Sequence, residues 1–266
     1  MEHPAKMSTP FKGSVGSNPT LSANRKKTMT KPNVSVVLTS YNKPKYLQKA
    51  INSVLNQTYE NITLIVADDN SPNKEVWDVI TSFKDHRLVA FNSYISDEDR
   101  FKTARYATQI NTAVKNYSSS KYLCYLADDD FYYPEMIDRM VIYAESSGHE
   151  VVFCAQHVLD VDGNVDGGGI DGKGVRWFSE PLVRGADKLD HNQVMTSRRV
   201  FDLVGGWEDH PSVWGGADAA FFDRIEKNNI MFYPIDYNVP LQGKVYRTNS
   251  VQWNMANGLS PVFEEK

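Results

Sequence analysis

Cysteine is scarce in this chain: only Cys124 and Cys154 occur in 266 residues. Both sit in apolar, β-type runs, which argues against a disulfide-built secreted scaffold and predicts two buried, reduced thiols. Long hydrophobic runs are missing too. No apolar stretch approaches the ~20 residues that span a bilayer, and the lysine-bearing start lacks the apolar core of a secretory signal. A cytoplasmic protein without a transmembrane segment is expected, with the sequons Asn61-Ile-Thr63 and Asn116-Tyr-Ser118 as chance matches. Basic charge is not in surplus either, since 29 Lys+Arg face 33 Asp+Glu for a net charge of -4. Nucleic acid and anionic membranes are therefore not expected as general partners. No internal repeat is found.

What the chain does contain is a strand–helix rhythm. Residues 1 to about 30 carry Pro, Ser, Asn, Gly and Lys with no hydrophobic period and read as a disordered leader. Met29 is a candidate natural start, which leaves residues 1–28 in question. Val34–Thr39 then reads as a buried strand, as do Ile62–Ala67, Arg87–Asn92 and Tyr122–Ala127. Between them, Pro44 opens a helix with Leu47, Ala50, Ile51 and Val54 at helical spacing. Further helices are predicted over Glu75–Phe83, from about Thr103, and from Pro134. This alternation predicts an α/β, Rossmann-like domain with a mainly parallel central sheet. It covers residues 31–266, a nucleotide-binding half (31–130) and an acceptor half (131–266). Val151–Leu159 reads as one more strand and Ala217–Lys227 as a helix, while the stretch from Tyr233 has only weak periodicity.

Two strands end in acid. Asp128, Asp129 and Asp130 follow Tyr122–Ala127, and Asp68-Asp69-Asn70-Ser71 ends Ile62–Ala67. Three adjacent carboxylates repel unless something positive sits among them, and hard oxygen donors suit Mg2+ or Mn2+. Acidic strand ends in one α/β sheet point to a shared crevice holding a metal and a polar ligand. The bland alternatives are a solvated acidic loop and a strand-terminating Asx turn. A carboxylate of the Asp68-Asp69 pair could accept the imide N–H of a pyrimidine base and Arg100 could donate to its carbonyls or to a phosphate, while Tyr41 is read either as lying against the ring or as a core tyrosine at the strand end.

Other motifs fare differently. Gly167 to Gly172 formally matches G-x-G-x-x-G, yet no helix begins there. Asp162 to Gly167 imitates a calcium loop whose twelfth position is Lys173 rather than Glu. Both are read as a hairpin loop beside the site. His191, after Asp190, is a candidate metal ligand or hydrogen-bond donor to a leaving phosphate, or else a buried structural histidine. Asp218, near a helix start and flanked by Trp207 and Trp214, is a candidate general base, with Glu208 and Asp209 as rivals.

The ordered set Val34 to Lys43, Ala67 to Ser71, Arg100 to Asn111 and Tyr122 to Asp130 resembles the family 2 glycosyltransferases of GT-A fold. Among them the spore-coat polysaccharide transferases are most similar. The likeness runs from about Pro32 to about Ile225. It implies an inverting enzyme that moves sugar from a UDP- or dTDP-sugar to a saccharide or other hydroxyl acceptor. By motif position, Thr39, Tyr41, Asp68, Asp69, Arg100 and Asp128 would contact nucleotide, and Asp128, Asp129 and Asp130 would surround Mn2+ or Mg2+. Asp190 and His191 would lie near the donor, and Asp218 would be the base. Many family members have Glu-Asp at the base, where this chain has Ala217-Asp218. The rival readings are a nucleotidyltransferase acting on sugar phosphates and a non-catalytic sugar-nucleotide-binding module.

Overall fold

Short β-branched runs set up the centre of the molecule. The structure, a computed structural model, describes residues 31–96, 98–160, 162, 164, 174–186, 188–236 and 239–245. Strands β1 (Val34–Ser40), β2 (Ile62–Asp68), β3 (Leu88–Asn92) and β4 (Tyr122–Ala127) pair in parallel in the order β4-β1-β2-β3. Parallel neighbours need crossovers, and helices α1 (Pro44–Leu55), α2 (Glu75–Ser82) and α3 (Arg105–Tyr117) supply them. Alternate strand residues serve opposite faces. Val36, Leu38, Leu64 and Val66 pack with Leu47, Ile51 and Val54 of α1. Val37, Ile65, Leu123 and Tyr125 pack with Ile110 and Val114 of α3.

Past β4 the chain makes β5 (Phe131–Tyr132) and α4 (Met136–Ser147), then β6 (Val151–Phe153) and β7 (Ala155–Leu159). The single strand expected over Val151–Leu159 is thus two. The break falls at Cys154, whose N–H and C=O are taken by the backbone C=O and side-chain amide of buried Gln193. Next come β8 (Val175–Arg176), β9 (Val194–Ser197), α5 (Arg198–Leu203) and α6 (Ala217–Lys227). The last described elements are β10 (Tyr233–Pro234) and β11 (Pro240–Val245).

The large sheet runs β10-β6-β9-β4-β1-β2-β3, with β9 antiparallel to both neighbours, so it is mainly rather than wholly parallel. A second sheet, β5-β11-β7-β8, takes up the stretch that lacked a readable period. The chain beyond residue 131 therefore folds back onto the end of β4. Both cysteines are free and buried, and burial pushes both thiols well above their ordinary range. The leader, the Gly-rich motif and the rest of the calcium-like loop beyond Asp162 and Asn164 lie outside the described residues.

One turn ties α3 to the segment ahead of α6. Gly206 has φ +74°, and a Cβ there would stand 2.7 Å from Asn111 Oδ1. Asn111 holds both the N–H and the C=O of Trp207, each at 2.8 Å. Gly206→Ala should therefore lower unfolding free energy by about 1–3 kcal/mol, as measured by urea denaturation.

Candidate active site

In register, Ser40 at the end of β1 faces Asp68 of β2, and Thr39 faces Ala127 of β4. The residues that follow these strands consequently meet at one edge of the sheet. The Asp69 N–H donates to the Ser40 carbonyl at 2.8 Å, and the Tyr41 N–H donates to Asp128 Oδ2 at 2.9 Å. Thr39 is half-buried on β1 beneath this edge.

The two carboxylates after β2 have separate tasks. Asp68 is fully buried and accepts from the Ser71 N–H and hydroxyl, Trp77 Nε1 at 3.0 Å and Asn92 Nδ2 at 3.2 Å. Burial raises its pKa, and the Ser71 and Trp77 bonds only partly oppose this. It closes a turn, so the Asx reading holds for Asp68 and its carboxylate is turned into the fold. Asp69 is gripped by two guanidinium groups instead. Arg100 Nη1 reaches Oδ2 at 2.6 Å, and Arg105 Nε and Nη2 reach Oδ1 at 2.9 and 2.7 Å. Arg100 also lies over the Tyr41 ring, 4.2 Å from its centroid. Arg105 escaped the sequence reading because it looks like any residue of the first turn of α3. Its only signal is a basic side chain buried opposite an acid, which needs the fold to be seen.

The acidic triplet divides in the same way. Lys43 Nζ sits between Asp128 Oδ1 at 2.8 Å and Asp129 Oδ2 at 3.0 Å, so the positive group among these acids is a lysine. Asp130 turns away from both. Its Oδ1 accepts from the Val245 N–H and its Oδ2 from Asn192 Nδ2, each at 2.8 Å. Burial and the charge of Asp129 push its carboxyl up to about 8. With both oxygens taken by Asn192 and the Val245 N–H, Asp130 braces the end of β4. A divalent cation fits the remaining pair: two hard carboxylates already converge on one cationic atom, the Lys43 ammonium. Among the described residues no group of three or more His, Cys, Asp or Glu could hold a metal, so such an ion would need oxygens from a ligand.

The third acidic station lies across the edge. Asp190 caps the 3-10 turn His191–Gln193 and pairs with the ammonium of Lys244 on β11. Against the penalty of burial, Lys244 and His191 hold it ionised, well below the ordinary carboxylate range. Asn192 docks this turn on β4, accepting the Ala127 N–H at 2.7 Å. His191 faces forward, with Nδ1 3.5 Å from Asp218 Oδ2. The expected base thus joins the edge through His191, and Asp190 faces Lys244. Lys244 was missed because the β11 sequence gives no periodic signal.

Of the rivals, Asp209 is tied to α3 through Thr108 Oγ1 and the Ala104 N–H, and Glu208 lies 3.8 Å from Arg224. Trp207 is only 2% exposed and stacks on Phe221 at 5.0 Å. It is core, so of the two indoles expected to flank Asp218 this one is packed inside the fold. Trp214 is half-buried beside Phe101.

Comparison with known proteins agrees with this architecture. Protein CgeD of Bacillus subtilis (strain 168) is 38% identical over 214 residues, 76% of this chain and 48% of its own length. The chain thus spans about half of that relative. S. aureus TarS 1-349, solved in complex with UDP-GlcNAc, superposes with TM-score 0.62 at 15% identity over 81% of this chain and 59% of that one. The mannosyltransferase PcManGT from Pyrobaculum calidifontis, solved with GDP-Man and Mn2+, gives TM-score 0.62 at 14% identity over 86% and 61%. At such identities these two establish the GT-A fold. The model of glycosyl transferase family 2 matches residues 35–177, more than half of the chain, and the protein belongs to that family.

Proposed function

We propose that this glycosyltransferase moves a sugar from a UDP- or dTDP-sugar to a hydroxyl acceptor with inversion at the anomeric carbon. One observation carries the reading. Contacts link Asp69, Arg100, Tyr41 and Asp128, and from Ala127, the chain neighbour of Asp128, they continue through the Asn192 turn and His191 to Asp218 along one sheet edge. That order supports a single displacement, in which nucleotide, diphosphate and acceptor chemistry would follow one another in space.

In this reading the base lies against Tyr41, with its imide N–H directed to Asp69 and Arg100 donating to ring oxygens. Asp128 and Asp129 would hold Mn2+ or Mg2+, which would offset the charge growing on the departing diphosphate. Asp218 takes the proton of the acceptor hydroxyl as its oxygen bonds the anomeric carbon and the bond to the diphosphate breaks on the opposite face. No covalent sugar–enzyme intermediate forms. The relative solved with UDP-GlcNAc and the relative solved with GDP-Man and Mn2+ support a nucleotide-sugar donor and a cation. The described residues include no helix long and apolar enough to cross a membrane. A nucleotidyltransferase is disfavoured because Tyr41-Asn42-Lys43-Pro44 follows β1, where a Gly-rich triphosphate loop would be needed.

Three measurements test the proposal. A panel of UDP- and dTDP-sugars with Mn2+ or Mg2+ should yield nucleoside diphosphate. Release of pyrophosphate would instead indicate nucleotidyl transfer, and binding without turnover a non-catalytic module. Asp218→Asn should cut kcat by roughly 10²- to 10⁴-fold with donor affinity little changed; transfer at the wild-type rate would remove Asp218 from the role. Asp129→Ala should weaken Mn2+-dependent UDP binding about tenfold or more, ~1.4 kcal/mol. Calorimetry with and without the ion reads this directly, and equal affinities in the two proteins would rule out Asp129 as a ligand.

A further inference from the structure

We propose that His191 is the positioning partner of Asp218, holding one carboxylate oxygen of the base from behind; this rests on Asp218 being the base. The geometry is specific. His191 Nδ1 lies 3.5 Å from Asp218 Oδ2 and 3.9 Å from Asp190 Oδ1, while Asp218 Oδ1 accepts the Ala219 N–H at 2.9 Å. Both oxygens of the base therefore have a fixed neighbour. The histidine itself has little freedom. Its side chain is 14% exposed, its Nδ1 is buried, and 3.5 Å is longer than an ordinary hydrogen bond, so charge at close range makes the link.

Four elements hold this arrangement. The ring is enclosed by Tyr106 of α3, 6.0 Å away and tilted 30°, and by the edge-on indole of Trp207 at 5.6 Å. The Tyr106 hydroxyl also accepts the Ala217 N–H at 2.7 Å, fixing the residue before the base. Behind the ring, Asp190 is held by Lys244 of β11 and by Asn192. A histidine serving only as filler would not need two carboxylates beside one nitrogen.

The titratable and charged groups facing the ring are Asp218 on α6, Asp190 next to it in sequence, Tyr106 on α3 and Lys244 on β11. Burial disfavours the imidazolium and Lys244 repels it, but the two close carboxylates, Asp218 and Asp190, outweigh both, so its pKa is raised. A histidine whose folded value exceeds its unfolded one contributes fully below about pH 6.5. That contribution is lost as pH rises through the folded value. The grip on Asp218 should loosen over the same interval.

The test pairs kinetics with a titration that needs no histidine variant to fold. His191→Gln should lower kcat roughly 10- to 100-fold, leave donor KM nearly unchanged and abolish an alkaline limb present in the wild-type kcat profile. By NMR, the His191 ring should titrate at lower pH in Asp218→Asn than in wild type. An unchanged ring midpoint in an inactive Asp218→Asn overturns the positioning role alone. Full transfer by Asp218→Asn overturns the base assignment, and this inference with it. His191→Gln with wild-type kcat and an intact alkaline limb overturns it as well.

Discussion

Burying carboxylates at the mouth of a sheet is the constraint around which this molecule is arranged. An ionised group taken out of water without a partner is strongly destabilising, and removing one member of a buried pair costs about 3–5 kcal/mol. Each acidic station here has its own base. Asp69 has Arg100 and Arg105, Asp128 and Asp129 share Lys43, and Asp190 has Lys244. The bases come from the β1–α1 loop, the β3–α3 connection with the start of α3, and β11. Charge neutralisation thus ties both halves of the chain to one edge.

Asp130 and Asp190 make the tie between halves concrete. Asp130 accepts from Asn192 and from the β11 backbone, and Asp190 both caps the Asn192 turn and meets Lys244 of β11. The end of β4, the turn before β9 and β11 are thereby locked into one polar knot. Its members are satisfied mutually, so it specifies one arrangement where apolar contacts alone would tolerate several. Asp218 inherits its position from this knot through His191.

The first half of the fold was legible because its signals are local. Val34–Ser40, Ile62–Asp68 and Tyr122–Ala127 are continuous buried runs, and the buried faces of α1, α3 and α4 recur at helical spacing. The acidic strand ends were legible as chemistry, and Tyr41, Asp69, Arg100 and Asp128 do gather. What the sequence concealed depends on distant partners. Cys154 lies inside an unbroken apolar run, so nothing in the pattern marks the corner that sends β6 and β7 into different sheets. Lys244 sits on a strand with Gln242 and Gly243, where neither alternation nor a turn motif stands out. Trp207 reads in sequence as a flank of Asp218, yet it lies in the core, with its backbone held by Asn111. Asp130 reads as the equal of its two neighbours, and only the arrival of Asn192 and β11 gives it a different task.

The internal ion pairs also bear on how a donor would bind. A crevice lined by bare carboxylates would pay their desolvation at the moment of binding, whereas here folding has already met it. In the proposed reading the ligand would exchange partners: Lys43 would give way between Asp128 and Asp129, and Arg100 would move from the Tyr41 face. Such an exchange keeps the number of charge contacts nearly constant, so the free energy of binding goes into orientation rather than into assembling the site. The third station differs in this respect. Asp218 keeps a partially exposed carboxylate at 21%, while its partner His191 is somewhat less exposed, at 14%. A base must stay open to the hydroxyl it deprotonates yet fixed enough to meet it at one angle. A rigid imidazole behind a carboxylate on the first turn of α6 meets both demands, with the knot of Asp190, Asn192 and Lys244 supplying the rigidity.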